Sequence, residues 1–308
     1  MDSLHFVSPQ PYTMGDGISA VACFSMTTLL VVSLANLILL VFMIMESRKR
    51  CGEDFNDRIF KSSALQSKFS SLVDAKNRRE TPKFMAALVL LKSGTMVLIC
   101  GTVIISRFWV LTSARCCETV KVYSFERLKI VSNADNWKKG KSHSVENLMR
   151  HGNFSLKSFS HDVCLIKVGS PFKEIYETPG TLASFRYAYL QDTSATTIGW
   201  MTGKTQTSNR LYFTNVNLIS FHRCQTLIKD ERVDESMICA YNLENINCNF
   251  DSGGSLVQNN VIIGMASFES HCSNRNSPRV FTRISYFQKW IQLVENQNGV
   301  KIYANFKP

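Results

Sequence analysis

The most informative segment of this 308-residue chain is Cys248-Asn249-Phe250-Asp251-Ser252-Gly253-Gly254. Its serine lies between an acidic residue and two glycines, and glycine allows the backbone conformations that a tight loop requires. A serine hydroxyl in such a loop is a poor nucleophile unless a neighbouring base takes its proton. The segment therefore predicts a nucleophile loop, and the base has to be sought elsewhere in the chain.

A second segment reads Trp109-Val110-Leu111-Thr112-Ser113-Ala114-Arg115-Cys116. Together the two segments resemble the signatures of trypsin-like serine proteases, the S1 peptidases of the chymotrypsin fold, where the second motif ends in Ala-His-Cys. Here Arg115 stands in the histidine position. Arginine stays protonated at physiological pH, so it cannot take the proton of Ser252. We therefore predict a protease homologue that does not cleave peptide bonds.

A third segment, His161-Asp162-Val163-Cys164-Leu165-Ile166, resembles the strand of this family that carries the catalytic aspartate. The resemblance places Asp162 in the acid position of a vestigial triad with Arg115 and Ser252. We expect a salt bridge between Arg115 and Asp162, which is tolerable in a protein interior only when it is well hydrogen-bonded. Retained hydrolysis through Ser252 is the alternative. His161 is the histidine nearest to this motif, but its strand position points it to the opposite face from Asp162.

The oxyanion hole implied by the resemblance is also altered. Phe250 falls where the family usually has a glycine, whose N–H group helps form the hole together with that of Ser252. Phenylalanine keeps an N–H group but restricts the backbone and crowds the reacting carbonyl. The loss of one such donor costs about 2.7–4 kcal/mol of transition-state stabilisation.

The specificity pocket departs from the family pattern as well. Glu269 and Arg279 fall at wall positions that are usually glycine, and we expect their side chains to fill the pocket, with an ion pair as one arrangement. The alternative is that they turn into solvent. The remaining pocket positions are Ile246, Ser267 and Phe268.

Ten cysteines are a high count for a protein of a reducing compartment. The sequence contains no Cys-x-x-Cys pair, which argues against a zinc ribbon or a thioredoxin-type site. Of the cysteines that the family pattern does not use, Cys51 and Cys117 could bridge the stem to the domain, and Cys164, inside an apolar strand, is expected to be buried. The resemblance implies three disulfide bonds: Cys100–Cys116, Cys224–Cys239 and Cys248–Cys272.

Short apolar runs separated by turn residues predict an all-β protein. The expected strands include a hairpin near residues 85–99, a run over 103–111 and a run over 163–168. Near the end, Phe287, Trp290, Ile291 and Val294 have helical spacing and predict one amphipathic helix. The resemblance supplies the architecture, which is two six-stranded antiparallel β-barrels with a C-terminal helix.

An uncharged apolar stretch from Ile18 to Met45 is long enough to cross a bilayer and predicts an N-terminal transmembrane anchor. The basic residues that follow it favour a cytosolic domain, but the cysteines favour the exterior, and we follow the cysteines. Secretion after signal cleavage is the alternative. Asn153-Phe154-Ser155 is a glycosylation sequon. The expected regions are a tail at 1–17, the span at 18–45, a stem at 46–81, the domain at 82–293 and a second tail at 294–308.

The formal net charge is +11, yet no nucleic-acid-binding motif accompanies it, so a nucleic-acid partner is not expected. No histidine spacing suggests a metal site, and no cofactor is expected. The preferred hypothesis is a membrane-anchored homologue that binds proteases, their substrates or their inhibitors. The alternatives are a degenerate serine endopeptidase and a plain adhesion ectodomain.

Overall fold

The computed structural model describes residues 81–202, 207–228, 233–242, 252–269 and 278–308. The first half of this region forms a closed antiparallel barrel with the strand order β1-β2-β3-β6-β5-β4. Its strands are β1 (Met85–Lys92), β2 (Thr95–Ser106), β3 (Trp109–Thr112), β4 (Leu128–Ser132), β5 (Lys141–Arg150) and β6 (Cys164–Val168).

Alternation along β1 shows how the first barrel is filled. Ala86, Leu88 and Leu90 belong to the cluster inside the barrel, whereas Met85 and Val89 belong to a larger cluster that contains residues of both barrels. Because successive side chains of a strand point to opposite faces, this strand is buried on both sides. It therefore reads as a continuous apolar run in the sequence.

The prediction of one strand over 103–111 is wrong, because the run is divided between two strands. β2 ends at Ser106 and β3 begins at Trp109, and these two residues pair across a tight turn at Arg107 and Phe108. Both flanking strands are buried, so hydrophobicity continues through the turn and conceals it.

The second half forms another six-stranded barrel, in the order β11-β8-β9-β10-β13-β12, which the pairing of β11 with β12 closes. The prediction of two six-stranded antiparallel barrels is therefore confirmed. β7 (Leu182–Ala183) and β14 (Phe306–Lys307) extend the sheet by short parallel pairings. The barrel strands are β8 (Ser194–Thr202), β9 (Thr207–Ile219), β10 (Met237–Asn242), β11 (Ser255–Gln258), β12 (Val261–Glu269) and β13 (Arg279–Arg283).

The helices of the described region are α1 (Ala114–Val120), α2 (Phe221–Ile228) and α3 (Gln288–Asn298). The predicted C-terminal helix is confirmed, and its apolar stripe buries Ile291 and Val294. The helix ends at Gly299, whose left-handed φ of 59° suits glycine. The chain then returns to the domain, and Ile302 is fully buried.

The predicted membrane span and almost all of the stem lie outside the described residues. Within the described parts of the chain, no helix is long and apolar enough to cross a membrane.

Two of the expected disulfides, Cys100–Cys116 and Cys224–Cys239, are present in the structure. Cys248, Cys272 and Cys51 lie outside the described residues. The suggested bridge between Cys51 and Cys117 is wrong. Cys117 is instead bonded to Cys164, which is buried as expected. Their Cα atoms are 6.5 Å apart because the start of α1 packs on β6, and this separation lies within the range that a disulfide spans.

Candidate active site

The loop that carries Ser252 is held by backbone contacts on both sides. The Gly101 N–H donates to the Ser252 carbonyl at 2.9 Å, and the Gly253 N–H donates to the Ala266 carbonyl at 2.8 Å. Gly253 has a φ of +84°, and a Cβ there would lie 2.1 Å from the Gly101 oxygen. Glycine is therefore required by both conformation and space, and the loop presents Ser252 in a fixed place between β2 and β12.

The hydroxyl of Ser252 has two hydrogen-bond partners. Its Oγ lies 2.9 Å from Ser113 Oγ and 3.4 Å from the Ala266 carbonyl, to which it donates. Ser113 caps α1 and accepts a hydrogen bond from the Cys116 N–H at 3.3 Å. Among the described residues, no titratable side chain reaches the Ser252 hydroxyl. A second hydroxyl is too weak a base to activate it.

Sequence reasoning missed Ser113 as a partner of Ser252. The serine just before α1 could have been recognised as a helix cap, because serine is favoured there. Its contact with Ser252 joins residues 139 positions apart in the chain. No local pattern carries that information.

Asp162 is 1% exposed and is separated from the start of β6 by Val163. One carboxylate oxygen accepts the backbone N–H of Arg115 at 2.8 Å, and the other accepts the Ser267 hydroxyl at 2.5 Å. The Thr282 hydroxyl donates to the backbone carbonyl of Asp162 at 2.8 Å. Burial raises the pKa of Asp162 above its ordinary value, although the hydrogen bonds from Ser267 and Arg115 oppose the rise.

The side chain of Arg115 does not make the salt bridge that we expected. Both Arg115 and Asp162 are described, and no side-chain ion pair joins them. The guanidinium instead donates to the Ser267 carbonyl and lies 5.3 Å from the centre of the Phe159 ring. Phe159 in turn stacks on Phe268, with ring centres 4.9 Å apart.

This arrangement has a physical reason. The carboxylate of Asp162 is already satisfied by an N–H group and a hydroxyl, and burial of a full ion pair beside it carries a large desolvation cost. A carbonyl oxygen and an aromatic face stabilise the guanidinium at a half-buried position at lower cost. The guanidinium of Arg115 therefore bonds to β12 across the cleft, and only the backbone of Arg115 is hydrogen-bonded to Asp162.

The described contacts of His161 do not include Ser252. Its ring lies 4.8 Å from the ring of His151 and 6.0 Å from that of Phe287, and its Nδ1 lies 2.7 Å from Ser160 Oγ. Asp162, the next residue, is hydrogen-bonded to Arg115 and Ser267 in the cleft. The two side chains thus contact different groups, but the strand position from which this was predicted is wrong, because His161 lies in a turn with a φ of 57° and β6 begins at Cys164.

The described part of the specificity pocket is closely packed. Ser267 is 4% exposed, Phe268 is 7% exposed and Arg279 is 7% exposed. Residues 269 and 279 pair in the register of β12 and β13. The burial of Arg279 supports the expectation that this residue fills space and does not turn into solvent.

Several predicted site residues lie where the structure gives no description. Ile246, Phe250 and Asp251 are outside the described residues, and so is the side chain of Glu269. The assignments of the oxyanion hole and of the Glu269–Arg279 pair remain predictions. Among the residues that the structure does describe, no cluster of three or more histidine, cysteine, aspartate or glutamate side chains could hold a metal ion.

The described cleft thus brings together Arg115, Asp162 and Ser252, the three residues that the sequence placed in it. Ser252 is bonded to a hydroxyl, Asp162 to a backbone amide, and Arg115 to a carbonyl. None of these contacts removes a proton from the serine. The arrangement can present a cation and an aromatic pair at the surface of a cleft.

Comparison with known proteins agrees with the fold. A sequence model of the trypsin family matches residues 73–291. A trypsin of Sarcophaga bullata is 29% identical over 217 residues, covering 66% of this chain and 82% of that protein. A trypsin of Phaedon cochleariae is 27% identical over 203 residues, covering 62% of this chain and 77% of that protein. Among solved structures, mouse neuropsin, described as a serine protease expressed in the limbic system of the brain, is 25% identical with a TM-score of 0.59, covering 69% of this chain and 94% of that one.

Proposed function

The chain belongs to the trypsin family of serine proteases, and on this premise we propose that it is a pseudoprotease, a family member that regulates proteolysis by binding proteins and does not hydrolyse them. The observation that carries the proposal is the environment of Ser252, whose hydroxyl is bonded to Ser113 Oγ and a carbonyl. Arg115 occupies the position that the resemblance assigns to the base.

The chemistry of acyl transfer supports this proposal. The serine must lose its proton as it attacks, and a permanent cation cannot receive it. In a serine protease of unrelated fold, removal of the catalytic histidine alone lowers kcat about 10⁶-fold. We therefore expect hydrolysis by this chain to be undetectable beside that of an active trypsin.

The cleft itself supports a binding role. The guanidinium of Arg115 is held by the Ser267 carbonyl and by the face of Phe159, which stacks on Phe268. A half-buried arginine supported by aromatic rings is the kind of residue that dominates protein–protein interfaces. Proteases, their substrates and their inhibitors are the partners whose surfaces complement a protease-shaped cleft.

We place the domain outside the cell or in the secretory lumen, anchored in the membrane through residues 18–45. Three disulfide bonds in the described domain are typical of an oxidising compartment. Secretion of the domain after cleavage of the N-terminal segment is the alternative.

A fluorophosphonate probe tests the loss of hydrolysis. The full chain and its Ser252→Ala variant are incubated with the probe and with a mixed peptide library, beside an active trypsin. We expect no labelling of Ser252 and the same background cleavage for both forms of the chain. Labelling of Ser252 at the rate of the active trypsin, traced by mass spectrometry, would overturn the proposal.

Arg115→His supplies the missing imidazole and separates the causes of inactivity. We expect this variant to restore little activity, because Phe250 remains in the position assigned to the oxyanion hole. Strong proteolysis by the single variant would show that Arg115 alone blocks the reaction.

A degenerate serine endopeptidase is the second candidate function. The observation in its favour is the intact loop, in which Gly253 and the backbone of Gly101 still fix Ser252. Slow peptide cleavage that disappears in Ser252→Ala would favour this candidate.

A further inference from the structure

A cavity of about 890 Å³ lies away from the candidate active site, beside α3. Its lining is unusually aromatic and includes His151, His161, Tyr286, Phe287 and Trp290. These rings touch one another, with His151 centred 5.1 Å from Trp290 and Tyr286 centred 5.1 Å from Phe287. Charged and amide side chains complete the lining, and the volume lies within the range of about 300–1,000 Å³ that is typical of sites for small organic ligands.

The glycosylation sequon lies on the wall of this cavity. Asn153 is exposed, follows Gly152 in a turn and is one of the lining residues. Its backbone N–H donates to Nδ1 of His151 at 3.1 Å. Since the ring of His151 packs on Trp290, the backbone of Asn153 is joined to Trp290 through a single aromatic ring.

We propose that Asn153 carries an N-linked glycan whose first N-acetylglucosamine units fold back and bind in this aromatic cavity. One face of a pyranose ring is rich in C–H groups and is buried favourably against an aromatic ring. The hydroxyl and acetamide groups need polar partners, and Glu235, Arg283 and Gln297 line the same cavity. The site thus offers both kinds of contact that a sugar makes.

The covalent link makes weak contacts sufficient. A tethered ligand binds at an effective concentration in the millimolar range when its linker is short, so no high intrinsic affinity is needed. Tyr286 is 44% exposed, which leaves apolar ring surface for the sugar to cover.

The floor of the cavity is also electrically suited to a neutral sugar. Burial lowers the pKa of His151 to about 4, with the neighbouring His161 and Arg150 acting in the same direction. His151 is therefore uncharged at neutral pH, and its ring can act as part of an apolar floor. The proposal depends on exposure of the domain to the secretory lumen and is independent of whether Ser252 is active.

The test uses the full chain secreted or displayed by mammalian cells, with glycopeptide mass spectrometry and hydrogen–deuterium exchange. Asn153→Gln and Ser155→Ala each remove the sequon by a different change. We expect Asn153 of the native chain to carry a glycan and residues 284–290 to exchange at least about threefold more slowly than in both variants. Trimming of the native glycan to its first sugar should retain most of this protection.

A relocated glycan provides the matched control. In the Asn153→Gln background, Asn298→Thr creates a sequon at the exposed Asn296, which does not line the aromatic cavity. This glycan should not restore protection. An unoccupied Asn153, equal exchange with and without its glycan, or equal protection by the glycan at Asn296 would each overturn the proposal.

The source of the sugar is distinguished by adding chitobiose to the Asn153→Gln variant. Restored protection together with protection by the native glycan supports the proposal. Binding of free chitobiose without any effect of the native glycan assigns the cavity to a sugar on another molecule and overturns it.

Discussion

Asp162 and Glu177 are two buried carboxylates of the first barrel, each 1% exposed, with opposite electrostatics. Burial raises the pKa of both groups, but for Glu177 the hydrogen bonds outweigh burial and lower the pKa to about 2. The donors to Glu177 are the Lys173 N–H at 2.6 Å, Ser132 Oγ at 2.5 Å, His143 Nε2 at 2.7 Å and Lys141 Nζ at 3.0 Å. Asp162 accepts hydrogen bonds from the backbone of Arg115 and Ala114 and from the Ser267 hydroxyl but from no charged side chain, so the number and charge of the donors decide the direction of the shift.

Two serines, Ser170 and Ser252, differ in the same way, because only Ser170 contacts a histidine that is bonded to a carboxylate. Ser170 Oγ lies 2.8 Å from Nδ1 of His143, whose other ring nitrogen is bonded to Glu177. A serine, a histidine and a carboxylate are thus aligned in this molecule, but away from the cleft. His143 is 1% exposed, packs on Phe172 at 4.5 Å and also contacts the Ser170 carbonyl at 3.0 Å. The imidazole–carboxylate pair packs in the barrel, and the described residues of the cleft contain no equivalent pair.

The largest expected effect tests the structural role of the Glu177 cluster. His143→Ala removes a buried hydrogen-bond donor to Glu177 and the ring that packs on Phe172, and the loss of one partner of a buried polar group costs about 1–3 kcal/mol or more when that group is charged. The matched control is Glu146→Gln, which breaks the exposed pair between Glu146 and Lys167 at 2.9 Å and should cost less than about 1 kcal/mol. Urea unfolding at neutral pH measures both. An equal loss of unfolding free energy in the two variants would show that the buried contact stabilises the fold no more than the exposed pair does.

Acid sensitivity sharpens the same contrast. The pKa of Glu177 is lowered in the folded state from 4.5 to about 2, so its contribution is complete above pH 4.5 and is lost as the pH falls toward 2. A shift of this kind contributes on the order of 2 kcal/mol. Glu177→Gln should therefore flatten the loss of unfolding free energy between pH 5 and pH 2, as measured by denaturant titrations at several pH values. An unchanged slope would contradict the assignment.

Asp162 should show the opposite sign. Its folded pKa is raised, so its contribution to stability decreases as the pH rises from the ordinary aspartate range through the folded pKa. Asp162→Asn keeps an oxygen that can accept from Arg115 and should change the free energy of unfolding at neutral pH by about 1 kcal/mol or less. The difference between wild type and variant is followed from pH 3 to pH 7. If the wild type became more stable relative to the variant as the pH rises, the pKa of Asp162 would be lowered in the folded state and not raised.

Arg115 is expected to give the smallest effect on stability. Arg115→Ala removes the contact with Phe159, and a partly exposed cation–π contact contributes about 0.5–1 kcal/mol. Arg107→Ala is the control, since the exposed Arg107 lies 5.8 Å from the Phe108 ring. Thermal unfolding of both variants checks the ranking. A cost above about 3 kcal/mol for Arg115→Ala would show that the cation holds the barrels together.

The parts of the fold that could be predicted from the sequence depend on local signals. The helical spacing around Ile291 and the motif around Cys116 and Ser252 each lie within a few residues, and the resemblance ordered them correctly. The turn at Arg107 was missed because apolar residues continue on both sides of it.

The parts that could not be predicted depend on contacts between distant residues. The bond of Cys117 to Cys164 spans 47 positions, and the contact of His143 with Glu177 spans 34. The expected salt bridge of Arg115 failed for another reason. The sequence shows that an arginine and an aspartate are near each other, but it does not show that a backbone amide already satisfies the carboxylate.

The neighbouring residues Cys116 and Cys117 fasten the start of α1 to two different strands, through Cys100 of β2 and Cys164 of β6. The backbone at position 115 is therefore held from both sides whatever side chain it carries. Histidine and arginine codons can differ by a single base, so under the proposed function one point mutation at this position exchanges a proton acceptor for a permanent cation while both disulfides stay in place. A lineage of such proteins can abandon catalysis in one genetic step, and natural selection then acts on an unchanged scaffold.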